Sequence, residues 1–302
     1  VGLIKEEMRR LGSLIMEVAD VSTVPAGGAH AVDRDRFAEG VTSAIQANPN
    51  IRVDRSEITT LEAAELASFK AIVVATGPLT SQSLAADLVQ RTDKERLYFY
   101  DAIAPVVEAD SVDDSIVFAA SRYGKGGDDY LNCPMDESTY NQFIDELLAA
   151  EKVPLHDMDD PRFFPGCQPI EEIARQGRLS PAFGPMKPVG LTDPRTGKRP
   201  FAVVQLRTEN SACTAYNLVG FQTRLKYPEQ KRVLSMIPGL SDAVFLRMGS
   251  VHRNTYIDSP RLLDDRLRLT GTPRIRFAGQ ITGVEGYVES TACGLLQGLY
   301  TA

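Results

Sequence analysis

The sequence predicts an α/β protein whose parallel sheet is interrupted by an inserted α+β domain. Two observations support this prediction: an apolar strand ends in a glycine turn in each half of the chain. The first strand lies in AIVVATGPLT, Ala71 to Thr80, and the second begins RFAGQITGVEG at Arg276. Open α/β sheets place ligands at the carboxyl ends of such buried strands. We expect both strands to belong to one sheet.

The C-terminal stretch, Arg276 to Gly298, is predicted to run from its strand through glycines into a helix that buries Ala292, Leu295 and Leu296. Free backbone N–H groups and the positive end of the helix dipole suit a phosphate or an electron-rich ring edge. Glycines also let a flat ligand lie against the main chain, because they lack Cβ. For this stretch alone, a tight turn without a ligand is an equally good interpretation. The strand end at Thr76-Gly77 favours the ligand.

The two strand ends together look like a glutathione-reductase-like FAD-binding domain. The residues predicted to contact FAD lie at the strand ends and in the following turn: Ala75, Thr76, Gly77, Gly279, Gln280, Thr282, Gly283, Val284 and Gly286. Such a domain should also open with G-x-G-x-x-G after a first strand, and no such motif opens this sequence. We therefore expect an incomplete FAD domain that lacks its N-terminal βαβ unit. The predicted division is 1–90 for its first part, 91–265 for the insert and 266–302 for the returning part.

Composition is that of a soluble globular protein, with 302 residues, 43% hydrophobic and 24% charged. No run is long enough to cross a membrane, and no pattern indicates a signal peptide or a protein partner. Four cysteines stand far apart without a C-x-x-C pair, which favours a reduced cytoplasmic chain over a disulfide framework or a metal site. The formal charge of −7 exerts no net attraction on nucleic acid, so an RNA partner would need a local basic face.

Apolar spacing predicts the remaining elements in order. Helices are expected at 2–19, after a cap at Asp33 or Asp35, at 81–90, around Tyr140 to Leu148, at 170–175 and at 227–237. A strand and a turn are expected at 51–61, and strands at 202–206 and 216–221. Ser121 to Gly127 reads as a basic, glycine-rich loop.

A set of motifs then extends over essentially the whole chain in order. They are LIKEEMRRLGSLI from Leu3, VPAGGAHAVDRDRF from Val24, VVATGPLT from Val73, YFYDAIAP from Tyr98, SRYGKGGDDYLNCP from Ser121, GCQPIEEIARQG from Gly166, GPMKPVGL from Gly184, VVQLRTEN from Val203, YNLVGFQT from Tyr216, IPGL from Ile237, HRNT from His252 and FAGQITGVEGYVES from Phe277. In these motifs the chain resembles the folate- and FAD-dependent bacterial tRNA (uracil-5-)-methyltransferases. GPMKPVGL and HRNT make the resemblance specific.

The resemblance implies a flavoprotein that uses NAD(P)H to reduce FAD and takes a one-carbon unit from methylenetetrahydrofolate. The product would be 5-methyluridine in the T-loop of tRNA. The chain departs from the family pattern at its start, because the dinucleotide-binding glycine motif and a second reactive cysteine would precede Val1. Chemistry that needs those parts is in doubt for this chain.

Cys167 is the predicted catalytic residue. Methylation at C5 of uracil needs a nucleophile at C6, for which a thiolate is the natural choice. Cys167 directly precedes a predicted helix, whose N-terminus would lower the pKa of its thiol. From the residues alone a small buried hydrophobe is the better interpretation. The resemblance matches Cys167 to one of two reactive cysteines, without saying whether it is the nucleophile or the base. Cys133, Cys213 and Cys293 are predicted to be structural.

Two further sets of residues are candidates for binding, and each also has a purely structural interpretation. The residues predicted to face folate or flavin are Lys187, His252, Arg253 and Asn254, although a surface lysine and a hydrogen-bonded core histidine fit as well. The residues predicted to contact tRNA phosphates are Lys198, Arg199, Arg224, Lys226, Lys231 and Arg232, although basic runs are more often solvated surface.

Two rival functions follow from the same features. One is a related FAD-dependent subunit that modifies the wobble uridine of tRNA, which should lack GPMKPVGL and the reactive Cys167. The other is a non-catalytic RNA- or folate-binding fragment. Yellow flavin bound to the purified protein would separate an enzyme from a binding fragment.

Overall fold

A computed structural model describes residues 2–27, 29–92, 97–154, 163 and 168–302. The chain is mixed α/β and divides into two compact units. The first unit comprises Val1–Val21, Glu39–Phe99 and His252–Ala302, and the second comprises Ser22–Ala38 and Tyr100–Val251.

This division differs from the predicted bounds at the end of the insert and in a separate segment near the start of the chain. Residues 252–265 belong to the first unit, where Thr255 N–H donates to the Pro78 carbonyl at 2.8 Å and Ile257 is buried in the core. Residues 22–38 belong to the second unit, where the Asp33 carboxylate accepts from the N–H of Ser211 at 3.0 Å. Long-range hydrogen bonds that the sequence does not display therefore set the boundaries.

The helices and strands are as follows. The helices are α1 Gly2–Arg10, α2 Leu14–Val21, α3 Arg34–Ala47, α4 Gln82–Thr92, α5 Glu137–Ala149, α6 Ile170–Gln176, α7 Ser180–Phe183, α8 Tyr227–Leu234, α9 Ser259–Leu262 and α10 Tyr287–Thr301. The strands are β1 Thr23–Val24, β2 Ala31–Val32, β3 Ile72–Val74, β4 Leu97–Ile103, β5 Val106–Glu108, β6 Phe118–Ala119, β7 Tyr130–Met135, β8 Ala202–Thr208, β9 Ala215–Leu218, β10 Phe245–Arg247, β11 Ser250–Tyr256, β12 Arg268–Leu269 and β13 Thr272–Phe277.

The first unit contains a three-stranded sheet in the order β12-β13-β3. Strands β13 and β3 are parallel, with Phe277 opposite Val74, which confirms that the two predicted strands share one sheet. The first strand is only partly buried, in contrast to the predicted buried strand, since Val74 is 3% exposed and Val73 is 40% exposed. Leu84 and Leu88 of α4 pack with Phe277 of β13 in one hydrophobic core.

The second unit is built on a six-stranded antiparallel sheet in the order β10-β5-β9-β8-β7-β6. Helix α5 packs on its core, because Tyr140, Phe143 and Leu147 recur at helical spacing and are fully buried. Each such side chain contributes about 1.5–3 kcal/mol when removed from water. The Asp136 carboxylate starts the helix by accepting from Thr139 N–H at 2.7 Å.

Three local predictions are wrong for physical reasons. The single N-terminal helix is two, because Gly12 adopts a left-handed φ of 70° that ends α1. Residues 51–61, all described, form no strand and are largely exposed. The buried face of α10 is set by Cys293 and Gln297, whereas Leu296 is 44% exposed. Within the described ranges, no helix is long and apolar enough to cross a membrane.

Candidate functional site

The carboxyl ends of β3 and β13 form the candidate site in the first unit. Ala278 N–H donates to the Val74 carbonyl at 3.0 Å, so the two strands leave the sheet side by side. After β3 the chain turns at Gly77, with a φ of 69°, and the hydroxyl oxygens of Thr76 and Thr80 lie 2.7 Å apart. The predicted strand-end residues therefore lie at one edge of one sheet, where open α/β sheets bind ligands.

The turn after β13 is held by its own hydrogen bonds. Gly279 N–H donates to the Cys293 sulfur at 3.3 Å, and Gly283 N–H donates to the Gln280 carbonyl at 3.0 Å. The Thr282 hydroxyl donates to the Gly279 carbonyl at 2.7 Å. The prediction that these two glycine N–H groups are open is therefore wrong. Cys293, predicted to be merely structural, positions the turn.

The start of α10 is partly covered by an acidic side chain. Gly286 precedes the helix with a φ of 90°, and the Glu289 carboxylate lies close to where a Cβ on Gly286 would be. A phosphate at this helix start would meet that like charge. The arrangement favours the uncharged edge of a ring over a phosphate.

The glycine backbone at the strand ends is open to a flat group. Apart from its chain neighbours, no described residue has an atom within 4 Å of a Cβ placed on Gly77, and the nearest to one on Gly279 is the Ser290 carbonyl oxygen at 3.9 Å. Gly283 is tighter, with a φ of 83° and Tyr256 Cδ2 at 3.3 Å from the Cβ position. A flat ring can lie against this main chain, so the residues present fit a flavin ring.

A cavity of about 670 Å³ adjoins the turn within the first unit. Three predicted cofactor contacts, Thr282, Gly283 and Val284, line it together with Tyr256. Its other lining residues include Asp258, Asp264 and Asp265. An acidic lining disfavours phosphate groups and again favours a neutral ring.

The HRNT motif, residues 252–255, lies in β11, and these residues belong to the first unit. His252 is half-buried, and Asn254 is 2% exposed with its Nδ2 lacking a hydrogen-bond partner among the described residues. The side chain of Arg253 lies outside what the structure describes. A buried amide nitrogen without a partner is a rare cost in a folded protein, and it marks Asn254 as a candidate ligand donor.

A second cluster forms in the second unit, where two of the sequence motifs are joined. Arg122 of SRYGKGG donates from Nη2 to the Lys187 carbonyl of GPMKPVG at 2.8 Å, and Tyr123 N–H donates to the Gly190 carbonyl at 3.0 Å. The Lys187 side chain itself is exposed. The structure describes Lys187 in one unit and His252 and Asn254 in the other.

Beneath this cluster runs a buried polar network that the sequence analysis missed. Gln205 donates to the Asn132 side-chain oxygen at 2.9 Å and accepts from Arg122. The Asn132 amide donates in turn to the carbonyls of Phe118 and Ala120 at 3.0 and 2.9 Å. The sequence offered one signal for this network: Asn132 and Gln205 each lie inside an apolar strand, and a buried amide side chain requires hydrogen-bond partners.

The predicted tRNA cations fall into two groups. Arg224 is largely buried and pairs with Glu172 at 2.6 Å, Lys226 pairs with Glu151 at 2.6 Å, and Arg232 pairs with Glu146 and Glu229. Lys198, Arg199 and Lys231 are exposed. Their side chains form no salt bridge with a described residue under 4.0 Å.

Cys167 lies outside the described residues, so its geometry does not enter the site. The helix predicted after it is present as α6, Ile170–Gln176. Of the other cysteines, Cys133 and Cys293 are buried and Cys213 is exposed.

The fold and the site define a mixed α/β protein whose candidate ligand site lies at the carboxyl ends of its two parallel strands. The chain belongs to the glucose inhibited division protein A family, whose model matches residues 1–302. The relatives it resembles include two proteins called methylenetetrahydrofolate–tRNA-(uracil-5-)-methyltransferase TrmFO. The one from Syntrophotalea carbinolica is 57% identical over 100% of this chain and 65% of its own length, and the one from Geobacter sulfurreducens is 59% identical over 100% and 68%. The resemblance inferred from the motifs is thereby confirmed.

A solved structure shares the fold. Aquifex aeolicus GidA, in its form II crystal, matches with a TM-score of 0.71 over 99% of this chain and 54% of that chain, at 16% identity. This chain thus spans about two thirds of the curated relatives and about half of that structure.

Proposed function

We propose that the protein takes part in methylenetetrahydrofolate-dependent methylation of uracil C5 in tRNA. The observation that carries this proposal is the 57% and 59% identity, over the entire chain, to relatives named for that reaction. Two features of the structure support the proposal: the hydrogen bond that joins the motifs SRYGKGG and GPMKPVG, and the parallel pairing of β3 with β13.

FAD is the proposed cofactor, and the first unit is the part that would hold its ring. Described atoms beyond the chain neighbours lie no closer than 3.9 Å to the Cβ positions of Gly77 and Gly279, and Thr282, Gly283 and Val284 line the adjoining cavity. When bound, the flavin would supply the reducing electrons. An insert within the FAD-binding domain belongs to the same proposal, as do NAD(P)H as reductant and a cytoplasmic location.

The residues of the chain would act on the substrates around this cofactor. His252 and Asn254 would contact folate or flavin, and Lys187 an anionic substrate group. Cys167 would supply the thiol, as nucleophile at C6 of uracil or as the base that removes the C5 proton. Lys198, Arg199 and Lys231 would contact the tRNA phosphates, because these exposed cations form no salt bridge with a described carboxylate. Arg224, Lys226 and Arg232 would serve mainly the fold.

Methyl transfer by the full-length protein tests this function. The protein is incubated with a tRNA transcript, methylenetetrahydrofolate and NADH or NADPH, and 5-methyluridine is measured by mass spectrometry. Cys167→Ala should abolish the product while tRNA binding persists, and Cys213→Ala, which removes an exposed thiol, should leave it unchanged. Normal turnover by Cys167→Ala would remove this thiol from the mechanism, and absence of 5-methyluridine from the unmodified protein would overturn the function.

The role of Cys167 needs a separate measurement. A tRNA containing 5-fluorouridine is expected to trap the covalent adduct of a nucleophile, since fluorine cannot leave as a proton does. Loss of the adduct in Cys167→Ala assigns the nucleophile, and retention of the adduct assigns the base.

A further inference from the structure

Arg122 carries a positive charge that no described carboxylate compensates. Its guanidinium bonds to two neutral acceptors, the Gln205 side-chain oxygen and the Lys187 carbonyl oxygen, the latter at 2.8 Å. Its Nε is buried without a partner in the described part of the chain. Burial lowers the pKa of this arginine, since the charged form is partly desolvated. Such a cation is stabilised by an arriving anion.

Tyr123 beside it presents an aromatic ring to solvent from a strained backbone. Its φ is 60°, a left-handed conformation that a bulky residue rarely adopts, and the residue is 64% exposed. Gly190 makes room for it, because a Cβ there would lie 2.9 Å from Tyr123 Cδ1. Strain of this kind concentrates at ligand sites.

The two segments that meet at Tyr123, 121–129 and 184–190, carry three cations and two carboxylates. Lys125 and Lys187 are exposed on the two loops, and Asp128, which follows Lys125 in the same segment, is exposed as well. The Asp129 side chain is half-buried, and its Oδ2 accepts a hydrogen bond from Gly27 N–H at 2.7 Å.

We propose that this surface, Ser121–Gly127 with Lys187, binds an unpaired nucleotide of RNA. The base would stack on Tyr123, and a phosphate would contact Arg122 and Lys187. Proteins recognise unpaired RNA by this combination of an aromatic face and cations. The identity of the RNA as a tRNA arm rests on the proposed function.

Binding of a fluorescein-labelled T-arm hairpin RNA to the full-length protein tests the surface, by anisotropy at several salt concentrations. Tyr123→Gly removes the ring and also the backbone strain, so the dissociation constant should rise about tenfold or more while thermal stability is kept. Lys187→Gln should reduce the slope of log affinity against log salt by about one. Tyr300→Ala and Lys70→Gln, which remove an exposed ring and an exposed cation elsewhere, should bind as the unmodified protein does.

The outcomes separate this inference from the proposed function. Failure of the unmodified protein to bind the hairpin would count against tRNA as substrate altogether. Normal hairpin binding by both Tyr123→Gly and Lys187→Gln would overturn this surface alone. If the variants lose binding of a polyglutamylated folate but retain the hairpin, the surface is a carboxylate site and the RNA assignment is wrong.

Discussion

At the scale of single residues, burial separates inert thiols from available ones. Cys133 lies in the core of the second unit with no exposed surface, and burial raises the pKa of its thiol to about 12. Iodoacetamide at neutral pH should therefore label Cys213 and leave Cys133 unmodified until the protein unfolds. Peptide mass spectrometry measures both, and Cys167 is expected to react fastest. Labelling of Cys133 at the rate of Cys213 in the folded protein would contradict this prediction.

Glu171 is a second buried group with a pH-dependent consequence. It has no exposed surface, and burial raises the pKa of its carboxyl group above 4.5. The folded state then holds a proton that the unfolded state has released. The free energy of unfolding should fall as pH rises from 4.5 through the folded pKa, and it should level off above that. Urea unfolding between mildly acidic and neutral pH measures this slope.

The amide variant isolates the contribution of Glu171. The Glu171 carboxylate accepts a hydrogen bond from Arg224 N–H at 2.8 Å, and the side-chain oxygen of Glu171→Gln can still accept it, so the fold should be kept. Because glutamine does not titrate, the slope of stability against pH should disappear. Glu172→Gln is the matched control, because Glu172 pairs with Arg224 at 2.6 Å. It should lower stability by about 1–3 kcal/mol and keep the slope. An unchanged slope in Glu171→Gln would assign the pH dependence to another group.

At the scale of elements, the strand-glycine-helix segment governs the proposed flavin site. Gly283 has a φ of 83°, and its Cβ position lies 3.3 Å from Tyr256 Cδ2, so Gly283→Val would be strained and would move the turn. We expect the full-length protein to lose most of its flavin, measured by absorbance after purification. Gly298→Ala is the control within the same segment, because outside the helix's own backbone its Cβ would meet no atom of a described residue within 4 Å.

The control also carries an expectation of its own. Alanine in the interior of α10 should raise stability by about 0.5–1 kcal/mol and leave flavin occupancy unchanged. Full flavin in Gly283→Val, with the fold intact by circular dichroism, would remove this turn from the cofactor site.

At the scale of the whole molecule, an acidic protein must bind RNA through local positive charge. With a formal charge of −7, affinity should fall steeply with salt. Reversing both Lys198 and Arg199 to Glu should weaken tRNA binding about tenfold or more without loss of flavin or stability, because neither side chain is ion-paired to a described residue. Arg224→Glu would instead leave Glu172 facing a like charge and destabilise the fold. Filter binding and thermal melts distinguish the two, and unchanged affinity in the double variant would place the RNA elsewhere.

Much of the site could be predicted because its signals are local. The positive φ angles at Gly77, Gly279 and Gly283 are indicated by the residue type itself, because glycine adopts them readily. The strand ends that precede these glycines follow from the apolar runs in the sequence. The capping role of Asp33 was also readable, and its Oδ1 accepts from Arg36 N–H at 3.2 Å. By contrast, no sequence signal connects Gly279 to Cys293, because their hydrogen bond depends on how the turn folds back on α10.

The sequence by itself determined the α/β class, most of the helices, the two parallel strands and the family. The fold class, the helices and the strands can be predicted from the periodicity of apolar residues, and the family from short motifs of residues adjacent in sequence. Only the tertiary structure decided that Arg122 meets Gln205 and Lys187, that Arg224 and Arg232 are already paired, and that Glu289 covers the start of α10. The reason is physical: a side chain's charge and hydrogen bonds are assigned by whichever distant group folding brings within about 3 Å of it.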